Sequence, residues 1–377
     1  MLRHPHSTLA MAGTALLLLP ACSGGATVDE DVEGAEGAAG GSVNAGYVSA
    51  IDQIGLPVGT EVGFFEDENL DVTLADPFPT GVDAINALES GDVDIIQVGV
   101  PALAAAEEGV DLALVGNYTG SASQRSIDET AAIVAADGVE VDPEDLGTLE
   151  DLTIGTTFGS INHLYLLGVL EDERIDPEDM DLVNTDPPDM AVALETGGID
   201  AAVIWDPWPI TITDQVDGAE EVLRGGSYIP FVGYIATSPE YLEENPEQVE
   251  SFLRARAASD QWIRDNPQDA ADSAARWLTG TEEQVARDAM EYNIEQLDPR
   301  FSACNYLAMD TVALLLESQG ELEYDIDINE LFEPGPILQV EEDHPELFDG
   351  LEEVPDGAQI DGDYTFVREV AQEDCAV

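Results

Sequence analysis

Lysine is absent. All eleven basic residues of the 377-residue chain are arginine, set against 80 Asp and Glu, for a net charge of −69. Charged residues total 24%, close to the usual share of roughly 25%, so the imbalance comes from missing bases. A surface this poor in bases cannot neutralise phosphates, which excludes nucleic acid as a partner. Histidine numbers four and cysteine three, with no paired spacing of the zinc type, so neither a metal nor a cofactor is expected. Beyond the first residues only His163 and His344 remain as histidine bases. With lysine missing too, the groups that activate a nucleophile are scarce, and the chain is not expected to be an enzyme. The apolar run Ala10–Leu19 is about half the roughly 20 residues of a spanning helix. At low salt so many like charges repel; near 1 M salt the Debye length is only about 3 Å, so a salt-rich medium is expected.

Hydrophobic residues stand at 44%, enough for a core, and the length suits two domains. Arg3, the run Ala10–Leu19 and then Leu19-Pro20-Ala21-Cys22 form the pattern of a bacterial lipoprotein signal over residues 1–21, cut before Cys22, whose sulfur takes the lipid. The alternative is an ordinary secretory signal. Residues 22–42, rich in Gly, Ala and acids, form a flexible tether. The protein is then extracytoplasmic, anchored by lipid to the outer face of the cell membrane. With Cys22 lipidated, Cys304 and Cys375 are an even pair in an oxidising compartment, and a disulfide between them is expected.

The body alternates short apolar strands with amphipathic helices. Val43–Val48 reads as a first strand, with Val62–Phe65 and Leu70–Val72 as further short extended candidates. Thr80 and Asp83 cap a helix that Gly91 stops, Val93–Val98 is a strand, and Gly99-Val100-Pro101 turns into a second helix. The grammar recurs over Leu152–Thr157, a helix after Phe158-Gly159-Ser160, Asp181–Asn184, a helix over Asp189–Glu195, and Ile199–Trp205. Four helices follow, over Pro239–Glu244, Pro246–Asp265, Pro267–Leu278 and Glu282–Gln296, each opening near Pro or Thr with acids in its first turn. The last sixty residues, acidic with Pro and Gly, read as a loosely structured extension.

Three segments, Phe78–Ala105 (FPTGVDAINALESGDVDIIQVGVPALAA), Gly155–Leu170 (GTTFGSINHLYLLGVL) and Val183–Pro209 (VNTDPPDMAVALETGGIDAAVIWDPWP), resemble the solute-binding proteins of taurine, alkanesulfonate and nitrate ABC importers. Their order and spacing match as well, over about residues 43–300. The resemblance implies an α/β, two-lobed, type-II periplasmic binding protein fold, each lobe a mostly parallel sheet flanked by helices, with a helical C-terminal extension. Lobe 1 would comprise residues 43–130 and 233–310, lobe 2 residues 131–232, and residues 311–377 an acidic extension on lobe 1. Ile133-Val134-Ala135 and Gly233-Tyr234-Ile235 would carry the crossovers. A monomer is expected, partnered by the permease subunits of the importer.

In that fold a solute sits between the lobes. Helix N-termini at Thr80-Gly81, Pro101-Ala102 and Ser160-Ile161 would offer it free amides, with Val100 beside the second as a further site residue. Phe158, Asn162 and His163 flank the last of these, and Tyr47 and Ser49 follow the first strand. Trp205 would pack an apolar part of the solute. Asp206 would either accept from it or bond the hinge backbone, and Trp208 is core. Arg125 is either a surface ion-pair partner or a cleft residue, and Thr80 and Ser160 also read as plain helix caps. Asp186 stands before the Pro-Pro pair, where several relatives carry a basic or neutral residue; with the charge of the whole chain, this admits an uncharged or zwitterionic solute. The same fold also admits a sulfinate-type hydrolase or a binder of pyrimidine precursors of thiamine.

Overall fold

The computed structural model describes residues 40–123, 128–230, 232–278 and 280–375. The signal, Cys22 and Arg125 lie outside the described residues. The first strand, β1 (Gly41–Gly46), starts inside the span assigned to the tether. It pairs in parallel with β2 (Leu70–Leu74) and β3 (Ile95–Val98). The sheet is completed by β4 (Ala113–Thr119) and by β10 (Gly233–Thr237), which returns from far along the chain and lies antiparallel between β3 and β4. The order is β2-β1-β3-β10-β4.

The second sheet has the same plan. Strands β5 (Ala131–Ala135), β6 (Thr153–Thr156), β7 (Asp181–Asn184), β8 (Ala201–Trp205) and β9 (Glu220–Arg224) lie in the order β7-β6-β8-β5-β9. Here β5 is the antiparallel strand, between β8 and β9. The chain therefore crosses between sheets after β4 and after β9. Strands β3, β4, β5, β8 and β10 are buried along their whole length, and their sequences are accordingly rich in Ala, Val and Ile rather than alternating with charge.

Residues Val62–Phe65, an extended candidate from the sequence, are helical instead. Helix α1 (Gly55–Val62) ends at Gly63, whose φ of 101° no L side chain adopts readily, and α2 (Phe64–Asp67) follows. Two glycines and a proline within α1 hide it from propensity. Gly55 has a packing reason: a Cβ there would stand 1.6 Å from Nη1 of Arg256, a fully buried residue paired with Asp260. Next come α3 (Gly81–Ser90), capped by Thr80, and α4 (Pro101–Glu107). Around the second sheet lie α5 (Ile161–Glu173), α6 (Pro187–Thr196) and α7 (Trp208–Gln215). A helical run follows: α8 (Pro239–Glu244), α9 (Pro246–Asp265), α10 (Pro267–Trp277) and α11 (Glu283–Asn293).

The C-terminal region is far more ordered than its acidic composition suggests. Helix α12 (Ala303–Ser318) is buried over most of its length, and α13 (Gly335–Asp343) packs on α9 and β4. Leu114 of β4 exchanges backbone hydrogen bonds with this region, donating to Leu331 and accepting from Glu333. Tyr306 and Phe332 stack with ring centroids 4.0 Å apart, and Tyr364 and Phe366 pack on the Tyr306 ring. The last helix, α14 (Arg368–Asp374), lies on α12, where Cys304 and Cys375 are disulfide-bonded with Cα atoms 5.4 Å apart. Helix α12 also packs on α5 beside the second sheet.

Candidate functional site

A cavity opens at the carboxyl ends of β1, β3 and β8, between the two sheets, where open α/β sheets bind ligands. The first sheet contributes Val48, Ala50, Asp52, Gln53, Gly81, Val98, Gly99, Val100, Pro101 and Tyr118; the second contributes Ser160, Ile161 and Trp205. Val232, from the returning crossover, completes the wall. The volume open to the centre of a water-sized group is about 50 Å³, which suits a small solute.

The polar wall on the first sheet is fixed by Gln53. Its Oε1 accepts from the Val48 amide at 2.6 Å, and its Nε2 donates to the Tyr118 hydroxyl at 3.0 Å. Gln97 in turn donates to the Gln53 carbonyl at 2.8 Å. The Tyr118 oxygen accepts from Gln53, so its own proton remains available to a guest. Burial, then the charge of Asp52, push the Tyr118 pKa well above the usual value, and the hydroxyl stays a donor. Two glycines let the crossover run close behind this wall. A Cβ on Gly99 would stand 2.8 Å from the Val232 carbonyl, and one on Gly233 would stand 2.4 Å from the Tyr118 ring.

Only some of the helix amides anticipated from sequence face the cavity. At α4, Pro101 has no N–H, and the amides of Ala102 and Leu103 donate to Gly99 and Val100 carbonyls at 3.0 Å. That terminus has no free donor, although Val100 and Pro101 line the cavity. At α5, Ser160 Oγ accepts from the amides of Asn162 at 3.2 Å and His163 at 3.5 Å and donates to the Thr157 carbonyl. Ser160 is thus occupied as a cap, and Ile161, the first residue of a 13-residue helix, lines the cavity and has an amide that the helix itself leaves without an acceptor. At α3, Thr80 caps the Asp83 amide and donates to its carboxylate, while Gly81 reaches the cavity.

Trp205, at the end of β8, forms the opposite wall. It packs with Val48 and Ala50, and its Nε1 donates to the Ser49 carbonyl at 3.5 Å. The Ile51 amide donates to the Asp206 carbonyl at 3.2 Å, a second tie between the sheets. The Asp206 side chain turns away from the cavity. Its Oδ2 accepts from Arg224 at 2.8 Å, and Arg224 lies 4.1 Å from the centroid of the Tyr292 ring. Burial pushes the Asp206 pKa up to about 7, against the charge and hydrogen bond of Arg224.

Of the remaining candidates, Tyr47 is buried beside β1 and accepts through its carbonyl from Phe78. Ser49 serves through its carbonyl. Phe158 is exposed and stacked on His163 at 5.1 Å. The His163 ring accepts from the Gly159 amide at 3.3 Å, and burial lowers its pKa. Asn162 is fully buried behind the cavity wall, with neither side-chain polar atom bonded. None of these borders the cavity. Asp52 does, and sequence reasoning missed it. It is 5% exposed, and burial pushes its pKa up to about 7, with the charge of Asp206 adding to the shift. Its only sequence signal is an acid within the apolar stretch Ala50–Leu56, one among 80 acids. Among the described residues no group of three His, Cys, Asp or Glu is placed to hold a metal ion.

Residues 50–270 match the family model described as NMT1/THI5 like. A putative binding protein of Brucella abortus is 24% identical over 242 residues, which are 63% of this chain and 71% of that one. The taurine-binding periplasmic protein of Escherichia coli is 27% identical over 198 residues, 50% of this chain and 57% of that one. Among solved structures, the alkanesulfonate-binding protein of Xanthomonas axonopodis pv. citri, bound to MOPS, superposes with a TM-score of 0.68 at 21% identity, covering 77% of this chain and 97% of the other.

Proposed function

The chain belongs to the NMT1/THI5-like family, and on that premise we propose that it is the extracytoplasmic solute-binding component of an ABC importer. It captures a small sulfonate-, taurine- or nitrate-like solute between two lobes and delivers it to the permease. Lobe 1 is assigned to residues 43–130 and 233–310, and lobe 2 to residues 131–232. Cys22 is the proposed lipid anchor. The observation that carries the reading is the cavity itself: both sheets line it, and its wall is mostly apolar with a few polar groups, as small-molecule sites are. Relatives named for taurine binding and for aliphatic sulfonate binding support the solute class. Closure of the lobes on the guest would create the surface the permease reads.

The protein is a binding protein and not an enzyme. Its named relatives are binding proteins. The Ser160 hydroxyl in the cavity is engaged as a helix cap, donating to the Thr157 carbonyl and accepting from two backbone amides. A thermal-shift screen across taurine, alkanesulfonates, nitrate, carboxylates and pyrimidines tests the proposal. A solute at a hundredfold excess over Kd adds about 2.7 kcal/mol, a rise of several degrees. No shift from any class would sink it, and turnover of a hit would replace transport with catalysis.

A further inference from the structure

We infer that the solute carries an amine or other cationic donor group that pairs with Asp52, and that simple anions are disfavoured. The inference rests on the solute-binding reading and narrows it. Asp52 lines the cavity at 5% exposure; the backbone amides of Asp52 and Gln53 favour its charge, and among the described residues no side chain is bonded to it. Among the described residues no Arg or His is paired with it, and none lines the cavity. The one carboxylate acting on it from the second sheet, Asp206, is committed to Arg224. A buried carboxylate left without a cation is costly: it takes up a proton, or a ligand supplies the cation.

The rest of the wall sets the other end of the solute. The Ile161 amide, at the start of α5, and the free proton of Tyr118 are donors, and they suit an acceptor-rich head group. Trp205 offers an apolar face for a short spacer. A bare anion would find those donors but would share about 50 Å³ with the Asp52 carboxylate.

Calorimetric titration of the full chain with two matched pairs tests this: 2-aminoethanesulfonate against ethanesulfonate, and 3-aminopropanoate against propanoate. In the unaltered protein at least one amine member is expected to bind tenfold or more tightly than its partner. In Asp52→Asn the ratio should fall to near one, chiefly through loss of the amine member. Equal binding within both pairs, or tighter binding of the simple anions, overturns the inference and leaves the solute-binding reading standing. Silence from all four probes counts against both. A ratio that survives Asp52→Asn overturns the assignment to this residue. Should the variant fail to fold, the ratio in the unaltered protein decides alone.

Discussion

Replacing Asp52 by asparagine tests the physics of the site with no solute present. Burial holds the carboxyl at about 7, against an ordinary 3.8. Because the folded pKa lies above the unfolded one, the folded state binds the proton more tightly. That contribution is fully present below about pH 4 and is lost as pH rises through about 7. Roughly three units at about 1.36 kcal/mol each give about 4 kcal/mol of stability forfeited by pH 8. The amide does not titrate and forfeits nothing. Urea unfolding of both proteins from pH 4 to 8.5, in about 1 M NaCl to screen the surface acids, reads the difference directly. The two should agree near pH 4, and the variant should be more stable by about 3–4 kcal/mol at pH 8. Titration of Asp206 occurs in both proteins and largely cancels. A variant less stable at pH 8, or a gap that does not change with pH, refutes an uncompensated carboxylate in the cavity.

Trp205→Ala removes a wall of the cavity and its contact with Val48 and Ala50; solute affinity should fall at least tenfold by calorimetry, with about 2–4 kcal/mol lost in urea unfolding. Gly233→Ala drives a methyl into the Tyr118 ring at 2.4 Å and should cost about 1–3 kcal/mol, while the same change at Gly362, where a Cβ meets nothing within 4 Å, should leave solute binding unaltered. Replacing Cys304 and Cys375 by serine frees a loop spanning a sequence separation of 71; chain entropy puts the loss near 4 kcal/mol, and a loss below about 1 kcal/mol would mean that the aromatic contacts alone hold the tail. With a net charge of −69, the melting temperature should climb steadily with NaCl, and a flat profile would contradict a chain suited to brine.

What was legible in the sequence followed from local chemistry. Proline at the first position, with acids in the first turn, marks α8, α9 and α10 at Pro239, Pro246 and Pro267, and Thr80 and Gly91 bracket α3. The buried strands are runs of Val, Ile and Ala, so both sheets could be read. What was hidden depends on distant partners. Helix α1 is poor in propensity and exists because Gly55 lets Arg256 lie against it. The order of the tail rests on a few aromatic residues scattered among acids. At the cavity, Ser160 and Pro101 look like amide donors in sequence, yet a serine that caps its helix uses up the amides it marks, and a proline has none to give. Asp52 matters only because folding buries it opposite Trp205.

The most direct test is a crystal structure of the chain grown with whichever solute raises its melting temperature most. The expected result is that solute seated between the sheets, in contact with Asp52, Tyr118, Ile161 and Trp205. A solute bound elsewhere, with this cavity vacant, would contradict the central claim.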